Sequence, residues 1–245
     1  MENNTTDTQT VRSKIMTVLG ATLYMLFLGT VYIIGSISPY LASYFAVDIR
    51  QTQLLLPSLI LVQTLVMPFG AQLASKLQCK WIIIIASSIA ITSTFLASLV
   101  PRTSFITFST IFVGGLSVCV GLSYTVPIKL GWRAFPERSG LVSGVIIGGF
   151  GLGSLTFTYM ATMIVNPHNL NQVEMINFKG IDTIAFPDEV ALKVPDLLRY
   201  LSLCFVALVL LSLFLITDSS DCQACTSDDN ANEPVKSCNE AHQKV

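Results

Sequence analysis

Long stretches of the chain carry no charged residue, and short polar clusters separate them. Asp, Glu, Lys and Arg are absent over 15–47, 51–75, 81–101, 103–128, 139–173 and 200–217. Each stretch reaches the roughly 18–20 residues that cross the hydrocarbon core of a bilayer. Because lipid offers no partner to backbone amides, such segments form helices. The pattern predicts an all-α integral membrane protein with six transmembrane helices, at about 15–38, 53–75, 81–100, 104–128, 140–164 and 198–217.

The polar segments between and around these spans give the predicted domain organisation. Residues 1–14 form a polar N-terminus, 15–217 the transmembrane domain and 165–197 a long external loop. The first apolar stretch exceeds the roughly 7–15 residues of a signal-peptide core, so we interpret it as the first membrane helix. Residues 218–245 form an acidic tail, which we predict to be disordered because it has few apolar residues.

Composition supports the membrane class. Hydrophobic residues make up 52% of the chain and charged residues 12%, which is about half the charged share of soluble domains. The formal net charge of −1 provides no basic field for nucleic acid. The lipid bilayer is therefore the first partner that the sequence predicts.

Lysine and arginine in the short loops predict the orientation. The connections after spans two and four are richer in basic residues than the short loops on the opposite side, which carry only Arg50 and Arg102; the basic residues are Lys76, Lys80, Lys129, Arg133 and Arg138. Cytoplasmic loops carry an excess of Lys and Arg. We therefore expect both termini to be cytoplasmic, and we favour the plasma membrane over an internal one.

A glycine-rich run, "GLVSGVIIGGFGLGS" over 140–154, invites comparison with nucleotide-binding and hydrolase loops. It lacks the Lys-Ser/Thr pair of a phosphate-binding loop and the spacing of a nucleophile elbow, so we expect no enzyme. On a helix, one face carries Gly140, Gly144, Gly148 and Gly151, and the opposite face carries Gly149 and Gly153. Small residues four apart let helices approach closely. The run indicates either simple close packing or a moving interface.

Polar side chains within the spans are costly unless they face protein or water. Tyr32 and Ser36 lie in span one, Gln63 in span two and Tyr124 in span four. Each can make an interhelical hydrogen bond, and together they are consistent with a polar cavity. We predict no cofactor and no metal. The tail spacing C-x2-C-x12-C-x3-H over Cys222–His242 leaves structural zinc and palmitoylation of Cys222 as minor alternatives to free thiols.

Three stretches resemble the major facilitator superfamily, in particular its oxalate–formate antiporter and monocarboxylate-transporter-like branch. They are "LGTVYIIGSISPYLASYF" (28–45), "GAQLASKLQCK" (70–80) and "GLSYTVPIKLGWRAFPERSGLVSGVIIGGFGLGS" (121–154). In the second stretch Gly70, Lys76 and Lys80 match the superfamily's loop signature. Ser75 and Gln78 replace its Asp and its second Gly.

The resemblance implies the amino-terminal half of a facilitator-type transporter, working by alternating access around a central site. The implied substrate is a small organic anion such as a monocarboxylate or an oxalate- or formate-like ion. Tyr32, Ser36 and Tyr124 would line the cavity, and Arg133 and Arg138 would belong to the cytoplasmic loop and gate. A six-helix half would need a homodimeric second copy or a separate carboxyl-terminal half. The alternative is a truncated, non-transporting half that associates with a full-length transporter.

Overall fold

The computed structural model of the chain describes residues 3–168, 173–178 and 181–216. Ten α-helices and one hairpin make up this part, together with two short 3-10 turns at Gly29–Tyr32 and Pro136–Arg138. The helices are α1 (Asn3–Leu28), α2 (Ile33–Phe45), α3 (Ile49–Gln53), α4 (Leu55–Lys76), α5 (Cys79–Ala97), α6 (Phe105–Ser123), α7 (Thr125–Ala134), α8 (Ser139–Val165), α9 (Asp188–Ala191) and α10 (Val194–Leu215).

Within the described residues, six helical segments are long and apolar enough to cross a membrane, which confirms the predicted six-helix fold. These spans one to six are Val11–Phe45, Ile49–Lys76, Cys79–Ala97, Phe105–Ala134, Pro136–Val165 and Glu189–Leu215. The chain is a multi-pass membrane protein. The tail from 218 onward, with its cysteines, lies outside the described residues.

Two local features of the structure were not part of the sequence interpretation. Helix α1 begins at Asn3, so helical backbone already includes most of the segment expected as a polar N-terminus. The long connection after span five contains an antiparallel hairpin of β1 (Val173–Phe178) and β2 (Ile181–Ala185), in which Val173 pairs with Ala185. Hydropathy alone does not predict this hairpin. Outside the hydrocarbon core, water can satisfy the edges of a two-stranded sheet.

The helical hydrogen-bond ladder is interrupted near the middle of span one and about two-thirds along span four, where Pro127 has no N–H to donate. In span one, the 3-10 turn Gly29–Tyr32 separates α1 from α2. In span four, α6 ends at Ser123 and α7 begins at Thr125, so Tyr124 stands at the junction. A 3-10 stretch inside a long helix often marks a functional hinge or strain. Both interruptions face the same region of the bundle, as described below.

Glycines allow two pairs of helices to approach closely. Between α1 and α8, a Cβ at Gly149 would lie 2.7 Å from the carbonyl oxygen of Thr22, and Gly153 abuts the carbonyl of Leu26. Between α4 and α6, a Cβ at Gly70 would lie 2.7 Å from Cα of Leu122. Such contacts drive helix association where the hydrophobic effect does not. Gly70, which was expected in a loop signature, is thus a packing residue inside α4.

Aromatic and hydroxyl side chains hold the centre of the bundle. The largest fully buried residues include Tyr24 and Phe27 of α1, Phe108 and Phe112 of α6 and Phe205 of α10. Tyr24 donates a hydrogen bond from its hydroxyl to Oγ of Ser123 at 3.0 Å, joining spans one and four. Buried polar groups in a membrane protein need such partners.

The connections meet at two opposite ends of the bundle. At one end, which we call the basic end, Arg133 donates from Nη1 to Sγ of Cys79 at 3.8 Å and Trp132 donates from Nε1 to Oγ of Ser143 at 2.6 Å. These contacts bring together the connections after spans two and four. At the other end, the amide of Phe186 donates to Oγ of Ser43 at 2.9 Å. The orientation of these ends in the membrane stays a prediction.

Candidate substrate cavity

A small cavity of about 130 Å³ lies beside the interruptions of spans one and four. Its lining combines aromatic, polar and small residues, namely Tyr32, Gln63, Thr64, Met67, Val120, Gly121, Tyr124 and Phe150. A cavity of roughly 150 Å³ admits benzene in other proteins. By that comparison, this one suits a ligand of about six non-hydrogen atoms.

Phe150 stands between the two tyrosines that mark the helix interruptions. Its ring meets that of Tyr32 at 5.6 Å and 84°, and that of Tyr124 at 5.8 Å and 89°. Edge-to-face pairs of this kind are favourable beyond their buried area. Gly29, which starts the 3-10 turn, contacts the carbonyl of Phe150 directly. The turn therefore packs against α8 beside the cavity.

Gln63 supplies the unsatisfied polar atom of this site. Its Oε1 is buried and has no hydrogen-bond partner among the described residues. The neighbouring Thr64 is satisfied, because its hydroxyl donates to the carbonyl of Ile60 at 2.7 Å. A buried acceptor without a partner costs free energy. A ligand with an N–H or O–H group can supply that partner directly, whereas a ligand that only accepts hydrogen bonds requires the carboxamide to turn and present its N–H.

The polar groups around the cavity are all neutral. Two phenol hydroxyls, one carboxamide and one threonine hydroxyl are present, and the lining found among the described residues includes no charged side chain. A carboxamide offers two N–H donors and one acceptor, and a half-turn about its last torsion exchanges them. Gln63, Tyr32 and Tyr124 can therefore donate to the oxygen atoms of a carboxylate.

The structure brings together three of the four residues predicted to line a cavity. Tyr32, Gln63 and Tyr124 line it, whereas Ser36 does not. Ser36 instead donates from Oγ to Oγ1 of Thr158 at 3.5 Å, between α2 and α8. Their role in binding stays a prediction. Phe150 was missed, although it is the single aromatic residue inside the glycine-rich run.

The two small faces of α8 have different surroundings. Gly149 and Gly153 pack against α1. The other face carries Gly140, Gly144, Gly148 and Gly151, and a Cβ built at any of these would have no described atom within 4 Å. Close packing inside the chain therefore uses the face opposite to the predicted packing and gating face. Whether the open face meets a partner stays a prediction.

The predicted loop cations lie at the basic end rather than in the cavity. Lys76 is the last residue of α4, and Lys80 lies in the first turn of α5. Arg133 lies in the last turn of α7, and Arg138 is exposed at the end of the second 3-10 turn. None of the four lines the cavity.

Comparison with known proteins gives one informative relative. The chain is similar to apicoplast pyruvate carrier 1 of Toxoplasma gondii, with 35% identity over 112 residues. The matched region covers 43% of this chain and 20% of the relative, so the match spans about a fifth of the relative's length. No family model matches the chain. No solved structure matches it.

These comparisons correct the family expectation. The prediction of the major facilitator superfamily, with its oxalate–formate antiporter branch, is wrong: no family model matches, and the relative is named a pyruvate carrier. The loose motifs on which the resemblance depended are apolar helix patterns with scattered Gly, Pro and Tyr, which many membrane helices share. The expected plasma-membrane location also lacks support, because the relative's name refers to an organelle.

Proposed function

We propose that the chain takes part in moving a small monocarboxylate across a membrane without converting it chemically. The observation that carries the proposal is a cavity of about 130 Å³ in which Tyr32, Tyr124 and Gln63 converge. Likeness to a protein named as a pyruvate carrier supports this substrate class. It also favours an organellar membrane over the plasma membrane.

The chemistry of the cavity suits a carboxylate of pyruvate size. Such a molecule has about six non-hydrogen atoms, the number that a cavity of this size admits. Its oxygen atoms accept hydrogen bonds, and the phenols and the carboxamide can donate them. The apolar wall of Phe150, Met67 and Val120 can contact the methyl group. Neutral donors hold an anion weakly enough to release it, which transport requires.

The side of the bundle that carries the cavity needs to be covered by another protein surface. Tyr32 is 39% exposed, and Ser36 and Thr64 are also exposed. Polar groups in a span face protein or water rather than lipid, because lipid cannot satisfy them. We propose that a second copy of the chain, or a separate chain, covers this face and completes the path.

A second candidate function follows from the length of the match. The matched region spans about a fifth of the relative. The chain can accordingly act as a non-transporting partner that associates with a longer carrier. In that case the cavity would bind a ligand without moving it.

Reconstitution of the full chain in liposomes tests the first function. We expect uptake of labelled pyruvate, with competition by other short monocarboxylates. Tyr124→Phe removes only a hydroxyl, and we expect it to raise the KM roughly five- to tenfold, as loss of one hydrogen bond does. Tyr200→Phe, which alters an exposed tyrosine on α10, is the matched control.

Two outcomes separate the candidates. Binding of pyruvate without uptake, together with crosslinking to a longer carrier, supports the non-transporting partner. Absence of both binding and uptake, alone and with a co-expressed relative, contradicts both candidates.

A further inference from the structure

We propose that the basic end of the bundle binds the headgroup phosphate of an anionic phospholipid. The site would be formed by Lys80, Lys129 and Arg133, with Lys76 and Arg138 around it. It is separate from the cavity and does not depend on the transport proposal.

The first argument is a difference in charge between the connections at the two ends. The connections after spans two and four carry five cations and one acid, namely Lys76, Lys80, Lys129, Arg133 and Arg138 against Glu137. The connections at the other end are balanced by sequence, with Arg50, Arg102, Lys179, Lys193 and Arg199 against Asp48, Glu174, Asp182, Asp188, Glu189 and Asp196. The two basic connections therefore carry a local excess of cations, which attracts anions.

The second argument is the clustering of three of these cations. The contact between Arg133 and Cys79 places the guanidinium beside the start of α5, where Lys80 is the next residue. Lys80 and Lys129 are both half-buried, and Lys129 lies one helical turn before Arg133. A guanidinium matches phosphate geometry, and lysine adds point charges. The N-terminus of the 19-residue helix α5 adds a favourable dipole.

The third argument fixes the depth of the cluster in the membrane. Trp81 follows Lys80 and is 57% exposed, and Trp132 precedes Arg133 and is 48% exposed. Exposed tryptophans near the ends of spans lie at the level of lipid headgroups. The cations beside them therefore lie where headgroup phosphates lie, which favours a lipid over a soluble phosphate ester. Basic sites between membrane helices bind such headgroups.

Titration of the purified full chain in a neutral detergent tests this proposal. The probes are phosphatidylglycerol, phosphatidylcholine and soluble glycerol 3-phosphate, and the readouts are the unfolding temperature and lipid adducts by native mass spectrometry. We expect phosphatidylglycerol to bind and stabilise the protein more than phosphatidylcholine does. Each removed cation should weaken that binding by about fivefold, so Lys80→Gln with Arg133→Gln should weaken it by more than tenfold.

The matched control removes the same charge from the other end. Arg50→Gln with Lys193→Gln also neutralises one exposed arginine and one half-buried lysine, and we expect it to keep the preference. Lys76→Gln with Lys129→Gln replaces the first variant if that variant does not fold. Equal loss in the test and control variants overturns the proposal, because it indicates only general attraction. An equal response to glycerol 3-phosphate overturns it in favour of a soluble ligand.

Discussion

The rings of Tyr32 and Phe150 meet edge to face, with their centroids 5.6 Å apart. Tyr32 ends the 3-10 turn that interrupts span one, and Phe150 lies in the middle of span five. The contact therefore joins the interrupted backbone of one span to the regular helix of another. Tyr124 makes the equivalent contact from span four. Phe150 is thus the apolar element around which the cavity is arranged.

Phe150→Ala should destabilise the protein and impair ligand binding. Two edge-to-face pairs are lost, each contributing about 0.5–1.5 kcal/mol, so the free energy of unfolding should fall by about 1–3 kcal/mol. The two tyrosines also lose their support, and affinity for pyruvate should fall. Thermal unfolding and ligand titration in detergent measure both effects. Phe214→Ala, at an 81% exposed position, should change neither, and an equal effect there would contradict the role of Phe150.

Gln63→Leu should weaken ligand binding, whereas Ser36→Ala should not. Gln63 carries the unpartnered buried oxygen at the cavity, and Ser36 is engaged with Thr158 outside it. Leucine removes both the cost of the unpartnered atom and the hydrogen bond to the ligand. We expect about a tenfold loss of affinity with unchanged or raised thermal stability. Parallel binding titrations check this, and a larger effect of Ser36→Ala would restore the original sequence prediction.

Leucine substitutions on the two faces of α8 should have opposite consequences. Gly149→Leu and Gly153→Leu insert side chains into the backbone of α1, so we expect misfolding or loss of several kcal/mol of stability. Gly144→Leu and Gly148→Leu enter open space and should leave the monomer folded. If the open face meets a partner, the latter pair should reduce crosslinked assemblies. If size-exclusion chromatography shows a folded monomer and crosslinking is unchanged, this face contacts lipid rather than a protein partner.

Tyr24→Phe should lower stability modestly and leave transport largely intact. The hydroxyl of Tyr24 donates to Ser123, which itself donates to the carbonyl of Cys119 at 2.7 Å. Interhelical hydrogen bonds in membrane proteins contribute about 0.6 kcal/mol on average. Thermal unfolding should therefore show a small decrease. A decrease above about 2 kcal/mol would indicate that the buried hydroxyl supports more than this one bond.

The number of membrane spans and their helical type could be predicted because lipid excludes charge from the central part of each span. The interruption at Gly29–Tyr32 could not, since no proline lies in that turn. It is associated with a tertiary contact, the close approach of Gly29 to the carbonyl of Phe150. Ser36 lies one helical turn after Tyr32 and is exposed like it, but its hydroxyl donates to Thr158 and it does not line the cavity.

The site was predictable only in its polar part. Polar side chains in a span are costly unless they face protein or water. For that reason Gln63 and the two tyrosines could be predicted to line a cavity. Phe150 and Met67 carry no such signal among many apolar residues. The roles of Gly149 and Gly153 also depended on the structure, because spacing defines two small faces but not which of them has a neighbour.

The glycine contacts have a mechanical consequence. Backbone in direct contact leaves little room to slide, so we expect the pair of α1 with α8 and the pair of α4 with α6 each to move as a unit. The cavity takes Phe150 from the first pair and Gln63 from the second. It therefore lies between these two helix pairs, which are linked among the described residues by the hydrogen bond from Tyr24 to Ser123 and by the ring contact of Phe150 with Tyr124. A ligand bound there would contact both helix pairs and set the distance between them.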